Sequence, residues 1–112
     1  MTSDRNFRVI QPEGILSASV AKQMLQQFEE SQKEGIKLLL IDLQNVAMID
    51  SFGLGIIVSI HSKLKLAGGK LYLCGLQKQA WFLFDISALD RMFDILPDQQ
   101  AFYEAIRENS LV

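Results

Sequence analysis

The run Leu38-Leu39-Leu40-Ile41 is apolar at four successive positions, and it constrains the fold more than any other stretch. It is too short for a helix of its own, with Gly35 ahead of it and Asp42 behind. Successive strand side chains point to opposite faces, so unbroken apolarity means that both faces are covered. Lys37 to Leu43 is therefore expected as a central strand with helices on each side. Leu71-Tyr72-Leu73-Cys74 reads as a second buried strand.

Between and around these strands the period changes. Ala21, Met24, Leu25 and Phe28 recur at helical spacing among Gln, Glu and Lys, so Ser19 to about Lys33 is an amphipathic helix. Ser17 or Ser19 is placed to cap its first turn, and Gly35 to close it in a left-handed conformation. Phe7-Arg8-Val9-Ile10 reads as a short strand at the sheet edge, ended by Pro12 and Gly14. A helix over 53–66 stops at Gly68-Gly69, and Gly75 and Leu76 lead into a short helix from Lys78 to Phe84. After a Ser87-Ala88-Leu89 turn, Arg91 to Leu96 is expected as the last strand. Asp98 then opens a helix through Phe102, Ala105 and Ile106. The alternation predicts an α/β domain with a small, mostly parallel sheet of four to five strands and about four helices, because parallel neighbours need helical crossovers. The 112 residues suffice for one core and not two, so a single domain is expected.

Several functions are argued against. The net charge is −2 and no Lys or Arg cluster appears, which leaves no electrostatic basis for direct nucleic-acid binding. Apolar runs fall far short of the roughly 20 residues of a membrane span, and the N-terminus is polar without a signal-peptide h-region. No membrane insertion and a cytoplasmic location are expected. Cys74 is the single cysteine and reads as a buried small apolar residue. His61 is the single histidine, so neither a histidine metal pair nor a Cys–His couple is available. A triad of Ser51, His61 and Asp50 fails on distance, since ten helical residues span about 15 Å. Gly53-Leu54-Gly55 lacks the third glycine and the downstream acid of a dinucleotide fingerprint. No enzyme activity, cofactor or metal is expected, and a protein partner is.

The chemistry concentrates in Met48-Ile49-Asp50-Ser51-Phe52-Gly53-Leu54-Gly55. A polar Asp-Ser pair at a helix start places a hydroxyl where backbone N–H groups point outward and the helix dipole favours negative charge. Either Asp50 or Ser51 fits the ordinary role of an N-cap. Capping is compatible with phosphate acceptance, and a phosphoserine adds roughly −1.5 to −2 charge without altering the fold. At 100° per residue, Ile56, Ile57, Ile60 and Leu64 form the core stripe of this helix. Leu54 and Val58 fall on a flank with His61, Ser62 and Lys65. They read either as cover for the edge of the core or as a docking patch. Trp81, Phe82 and Phe84 read mostly as core, with Trp81 a candidate for a partner contact.

These residues resemble the STAS domain family, in particular the bacterial anti-sigma factor antagonists. Gly14-Ile15-Leu16 is similar to the family's turn before its first helix, Leu38 to Leu43 to its central strand, and Ile49-Asp50-Ser51-Phe52-Gly53-Leu54-Gly55 to its signature loop. Gly68-Gly69-Lys70-Leu71 and Leu83-Phe84-Asp85-Ile86-Ser87-Ala88-Leu89 are similar to later landmarks. The chain departs from the pattern at Phe52, where a second Ser or Thr is usual, at Ser17, where an acidic residue is common, and at Ala88, where glycine is usual. The N-terminus also looks too short for the extra leading strand of many relatives.

The resemblance implies that Ser51 is the phosphorylation target of an anti-sigma factor that is also a serine-protein kinase, with Asp50 and Gly53 supporting the site. It implies that unphosphorylated antagonist binds the kinase and frees a sigma factor, and that a PP2C-type phosphatase resets the cycle. Phe52, Leu54, Val58, His61 and Ser62 are then the expected docking surface. Two alternatives stand beside it: a STAS interaction module outside sigma control, such as a transporter accessory subunit or signalling scaffold, and an anion or nucleotide binder at the N-terminus of helix 53–66.

Overall fold

The computed structural model describes residues 7–110, with side chains through Glu108. The N-terminal stretch, read above as polar and too short for a leading strand, lies largely outside the described residues. Four strands form one fully parallel sheet in the order β1 (Arg8–Ile10), β3 (Leu38–Asp42), β5 (Lys70–Cys74), β6 (Asp94–Leu96). The pair β2 (Gly14–Leu16) and β4 (Val46–Ile49) forms a separate two-stranded parallel sheet. The helices are α1 (Ala18–Lys33), α2 (Ser51–Leu66), α3 (Lys78–Ile86) and α4 (Gln99–Ser110), with a 3-10 turn at Leu89–Arg91.

As expected, β3 is central and covered on both faces. Leu39 and Ile41 pack with Met24 and Phe28 of α1 and with Ile57 and Ile60 of α2. Leu40 points the other way, with Tyr72, Cys74, Phe102 and Ile106 under α4. Helix ends follow the glycines. Gly35 has φ +80° and lies in a closing turn in which Ile36 N–H donates to Ser31 O at 2.9 Å. Gly68 has φ +81°, and Gly69 N–H donates to Leu64 O at 2.7 Å. Ser17 occupies the N-cap position of α1 without a side-chain bond, whereas Asp98 caps α4 by accepting from Ala101 N–H at 2.9 Å.

The structure departs from the sequence reading, or adds to it, in five places. Gly14-Ile15-Leu16 is a strand and not only a turn. Val46–Ile49 is a strand as well, seeded by the turn in which Val46 N–H donates to Leu43 O at 3.0 Å. The last strand is shorter than Arg91–Leu96, because Met92 N–H closes the 3-10 turn onto Leu89 O at 2.9 Å and drops Phe93 into the core. On α3, Ala80 and Phe84 take the buried face one turn apart, which forces Trp81 (46% exposed) and Phe82 (64%) outward. The core stripe of α2 runs through Gly53, Ile57, Ile60 and Leu64, with Ile56 half-buried at its margin.

Asp42, at the C-terminal end of β3, is buried and fully bonded. Its carboxylate accepts from Gln11 Nε2 at 2.9 Å, Gln99 Nε2 at 2.7 Å and Gln44 N–H at 3.0 Å. Neutral amides thereby stabilise the carboxylate and tie the loop after β1 and the start of α4 to the central strand.

Candidate functional site

The Asp50-Ser51 junction is built from two strand ends meeting one helix start. Asp50 N–H donates to Leu16 O at 3.3 Å, extending the β2–β4 ladder to the last residue before α2. Asp50 then turns into the helix as its N-cap. Its carboxylate Oδ1 accepts from Gly53 N–H at 2.8 Å, and its carbonyl accepts from Leu54 N–H at 2.9 Å. The cap is Asp50, so Ser51 is free of that role. Ser51 is the first helical residue and is exposed.

Gly53 holds this geometry by having no side chain. A Cβ there would stand 2.2 Å from Leu16 O and 3.0 Å from Leu16 Cγ, so α2 presses directly on the β2 backbone. Gly55, one turn beyond Ser51, has open space around it.

Phe52 is 45% exposed beside an exposed Ser51, so the aromatic ring does not seal the serine. Leu54 and Val58 are half-buried and pack against the core. The strongly exposed apolar side chains of β2, β4 and the first turn of α2 are instead Ile15 (56%), Met48 (51%) and Phe52. Ile15 and Met48 face each other in the β2–β4 register. They were missed in the sequence because β2 and β4 were not read as strands; the four-residue apolar run after the Gln44-Asn45 turn was the available signal. Ser62 is exposed. His61 is half-buried: its ring sits 4.9 Å from that of Phe93 in an edge-on arrangement, and its Nδ1 is buried without a protein hydrogen-bond partner.

On the opposite side of β4, Gln79 of α3 bonds both backbone groups of Ile49, which fixes the strand end from which Asp50 and Ser51 emerge. Among the described residues no cluster of three or more His, Cys, Asp or Glu is arranged to hold a metal ion, and no helix is long and apolar enough to cross a membrane.

This parallel α/β domain belongs to the STAS domain family, whose model matches residues 1–108. It is 36% identical over 83 residues to an anti-sigma-B factor antagonist of Listeria monocytogenes, covering 73% of this chain and 72% of that protein. It is 25% identical over 113 residues to an anti-sigma F factor antagonist of Paenibacillus polymyxa, covering 100% of this chain and 94% of the relative. The crystal structure of a candidate anti-sigma factor antagonist of Thermotoga maritima superposes with a TM-score of 0.83 at 25% identity, over 90% of this chain and 87% of that one.

Proposed function

We propose that this chain is an anti-sigma factor antagonist, a single STAS domain that binds an anti-sigma factor in the cytoplasm and is switched by phosphorylation of Ser51. The observation that carries the proposal is an exposed serine at the first position of α2, relieved of capping by Asp50, on a chain whose adjoining elements expose Phe52, Met48 and Ile15. Half-buried Leu54, Val58 and His61, with exposed Ser62, continue the surface along the helix flank. The partner in this reading is an anti-sigma factor with serine-kinase activity, and a PP2C-type phosphatase reverses the modification. No catalytic role falls to this chain.

The switch follows from charge. Unphosphorylated, the surface is apolar around one neutral hydroxyl, suited to burial against a partner. Phosphorylation adds about two negative charges next to the Asp50 carboxylate, and burying them against the same partner incurs desolvation and repulsion. Each 1.4 kcal/mol lost weakens binding about tenfold. The fold survives, because the helix N-terminus tolerates an anion.

The test is incubation with the candidate anti-sigma factor and ATP, followed by mapping of phosphate by mass spectrometry. Phosphate at Ser51 is expected; phosphate elsewhere, or none, overturns the reading. Ser51→Ala is expected to keep partner affinity and Ser51→Glu to reduce it, so equal affinities would contradict the switch.

A further inference from the structure

A groove of about 470 Å³ opens at the far end of α2 from Ser51, between the last turns of that helix, the start of β5 and the segment from the 3-10 turn into β6. Lys65 lies 14 residues beyond Ser51, about 21 Å along the helix, so the cationic end of the groove is remote from Ser51, and only His61 is shared with the proposed docking flank. The charge of the groove is unusual for a chain of net charge −2. Lys65, Lys70 and Arg91 line it against the single carboxylate of Asp94. Lys70 Nζ already pairs with Asp94 at 2.9 Å. Among the described residues, the side chains of Lys65 and Arg91 have no hydrogen-bond or ion-pair partner.

The negative end of the helix dipole offsets this charge only in part, because several of the last carbonyls already accept hydrogen bonds. Lys37 Nζ donates to Ala67 O at 2.7 Å, and Gly68 and Gly69 N–H donate to Lys65 O and Leu64 O. The rest of the wall is apolar, from Leu71, Met92 and the His61 ring. His61 Nδ1 itself is buried without a protein partner.

We propose that this groove binds a small phosphate monoester, with Lys65 and Arg91 holding the phosphoryl group and the Leu71, Met92 and His61 wall taking the organic part. Two unmatched cations balance one dianionic phosphoryl group, and the Arg guanidinium offers a fork of donors that suits phosphate oxygens. The volume lies within the range of small-molecule sites and exceeds what a bare phosphate fills. Occupation here requires neither modification of Ser51 nor a bound anti-sigma factor.

The experiment is an amide-resolved NMR titration of the whole chain at constant ionic strength with adenosine 5′-monophosphate, inorganic phosphate and citrate in separate arms. The proposal expects saturable shifts around residues 61–71 and 91–94, tighter binding of the monoester than of inorganic phosphate, and weaker binding of citrate. Arg91→Gln and Lys65→Gln, both at exposed positions, are each expected to weaken monoester binding about tenfold, while Ser51→Glu leaves it unchanged. Shifts centred on Asp50–Leu54, unsaturable shifts, citrate binding as tight as the monoester, or full affinity in both charge variants would each overturn it.

Discussion

The side-chain amide of Gln79 pairs with both backbone groups of Ile49: Oε1 accepts from its N–H at 2.8 Å, and Nε2 donates to its carbonyl at 2.9 Å. The N–H and C=O of one strand residue point to the same edge, and among the described residues β4 has only β2 as a strand neighbour. Gln79 therefore supplies the two bonds that a further strand would make. The residue it holds directly precedes Asp50 and Ser51, so a side chain of α3 sets the position of the candidate phosphosite.

Removing that clasp leaves two part-buried backbone groups without partners. Gln79→Leu is expected to lower stability by about 1–3 kcal/mol in urea denaturation and to speed hydrogen exchange of the Ile49 amide. Gln79→Glu keeps the acceptor and loses the donor, so its loss should be smaller and its Ile49 amide should remain protected. Identical exchange in all three proteins would show that the clasp does not hold the strand end.

Gly53 and Gly55 stand two residues apart on α2 and are expected to respond to alanine with opposite sign. At Gly53 the new methyl meets the Leu16 carbonyl at 2.2 Å, a backbone atom that cannot swing aside. Overpacking of about 1–3 kcal/mol or more is expected, with displacement of β2 from α2. At Gly55 nothing lies within 4 Å, so alanine should stabilise the helix by about 0.5–1 kcal/mol. Thermal melts of the two variants check both signs.

The sequence reveals the elements that have a period and hides those that depend on partners. β3 was legible because Leu38 to Ile41 is apolar on both faces, and α1 because Met24 and Phe28 recur at helical spacing. β2 and β4 are three and four residues long, too short for a period, and become strands through pairing with each other and through Gln79. The junction residues Asp50 and Ser51 were legible from chemistry, as a cap and a hydroxyl at a helix start. Which of the two makes the cap bond depends on where Gly53 N–H points, and the exposure of Ile15 and Met48 depends on the register between two strands distant in sequence. Trp81 and Phe82 show the same limit: an apolar cluster on a two-turn helix does not declare which members face inward.

The exposed apolar side chains of β2, β4 and the first turn of α2 separate stability from recognition. Ile15→Ala, Met48→Ala and Phe52→Ala should each change stability by less than about 0.5 kcal/mol, because these side chains are about half exposed or more. In the proposed antagonist role, at least one, with Phe52 foremost, should weaken anti-sigma factor binding by more than about 1 kcal/mol in calorimetry. Unchanged affinity in all three would move the docking surface away from this face.

Ala88 is the described non-glycine residue with positive φ, at +58°. It follows α3, donating its N–H to Asp85 O at 3.1 Å, and takes the left-handed conformation that glycine adopts without a Cβ conflict. Ala88→Gly is expected to raise stability by about 0.5–1 kcal/mol, the relief of strain being partly offset by the freer unfolded chain. Ala88→Val should lower it, since a β-branched residue tolerates positive φ least. A melt in which glycine destabilises would mean that the left-handed turn carries no strain.

Cys74 lies fully buried at the end of β5 beside Asp42, and burial first, then the Asp42 charge, pushes its thiol up from an ordinary value of 9.0 to about 12. A thiol whose folded pKa exceeds its unfolded pKa binds its proton more tightly in the native state. Its contribution is therefore fully present below pH 9 and is lost as pH rises towards 12. Across that window stability should fall by up to about 1.4 kcal/mol per pH unit from this group alone. Urea midpoints between pH 7 and 11 check the slope, and Cys74→Ala should flatten the alkaline limb even though its cavity lowers stability at every pH. At pH 8 the native thiol should resist alkylation and react only on unfolding. Rapid alkylation of the native chain at that pH would contradict the burial that raises the thiol.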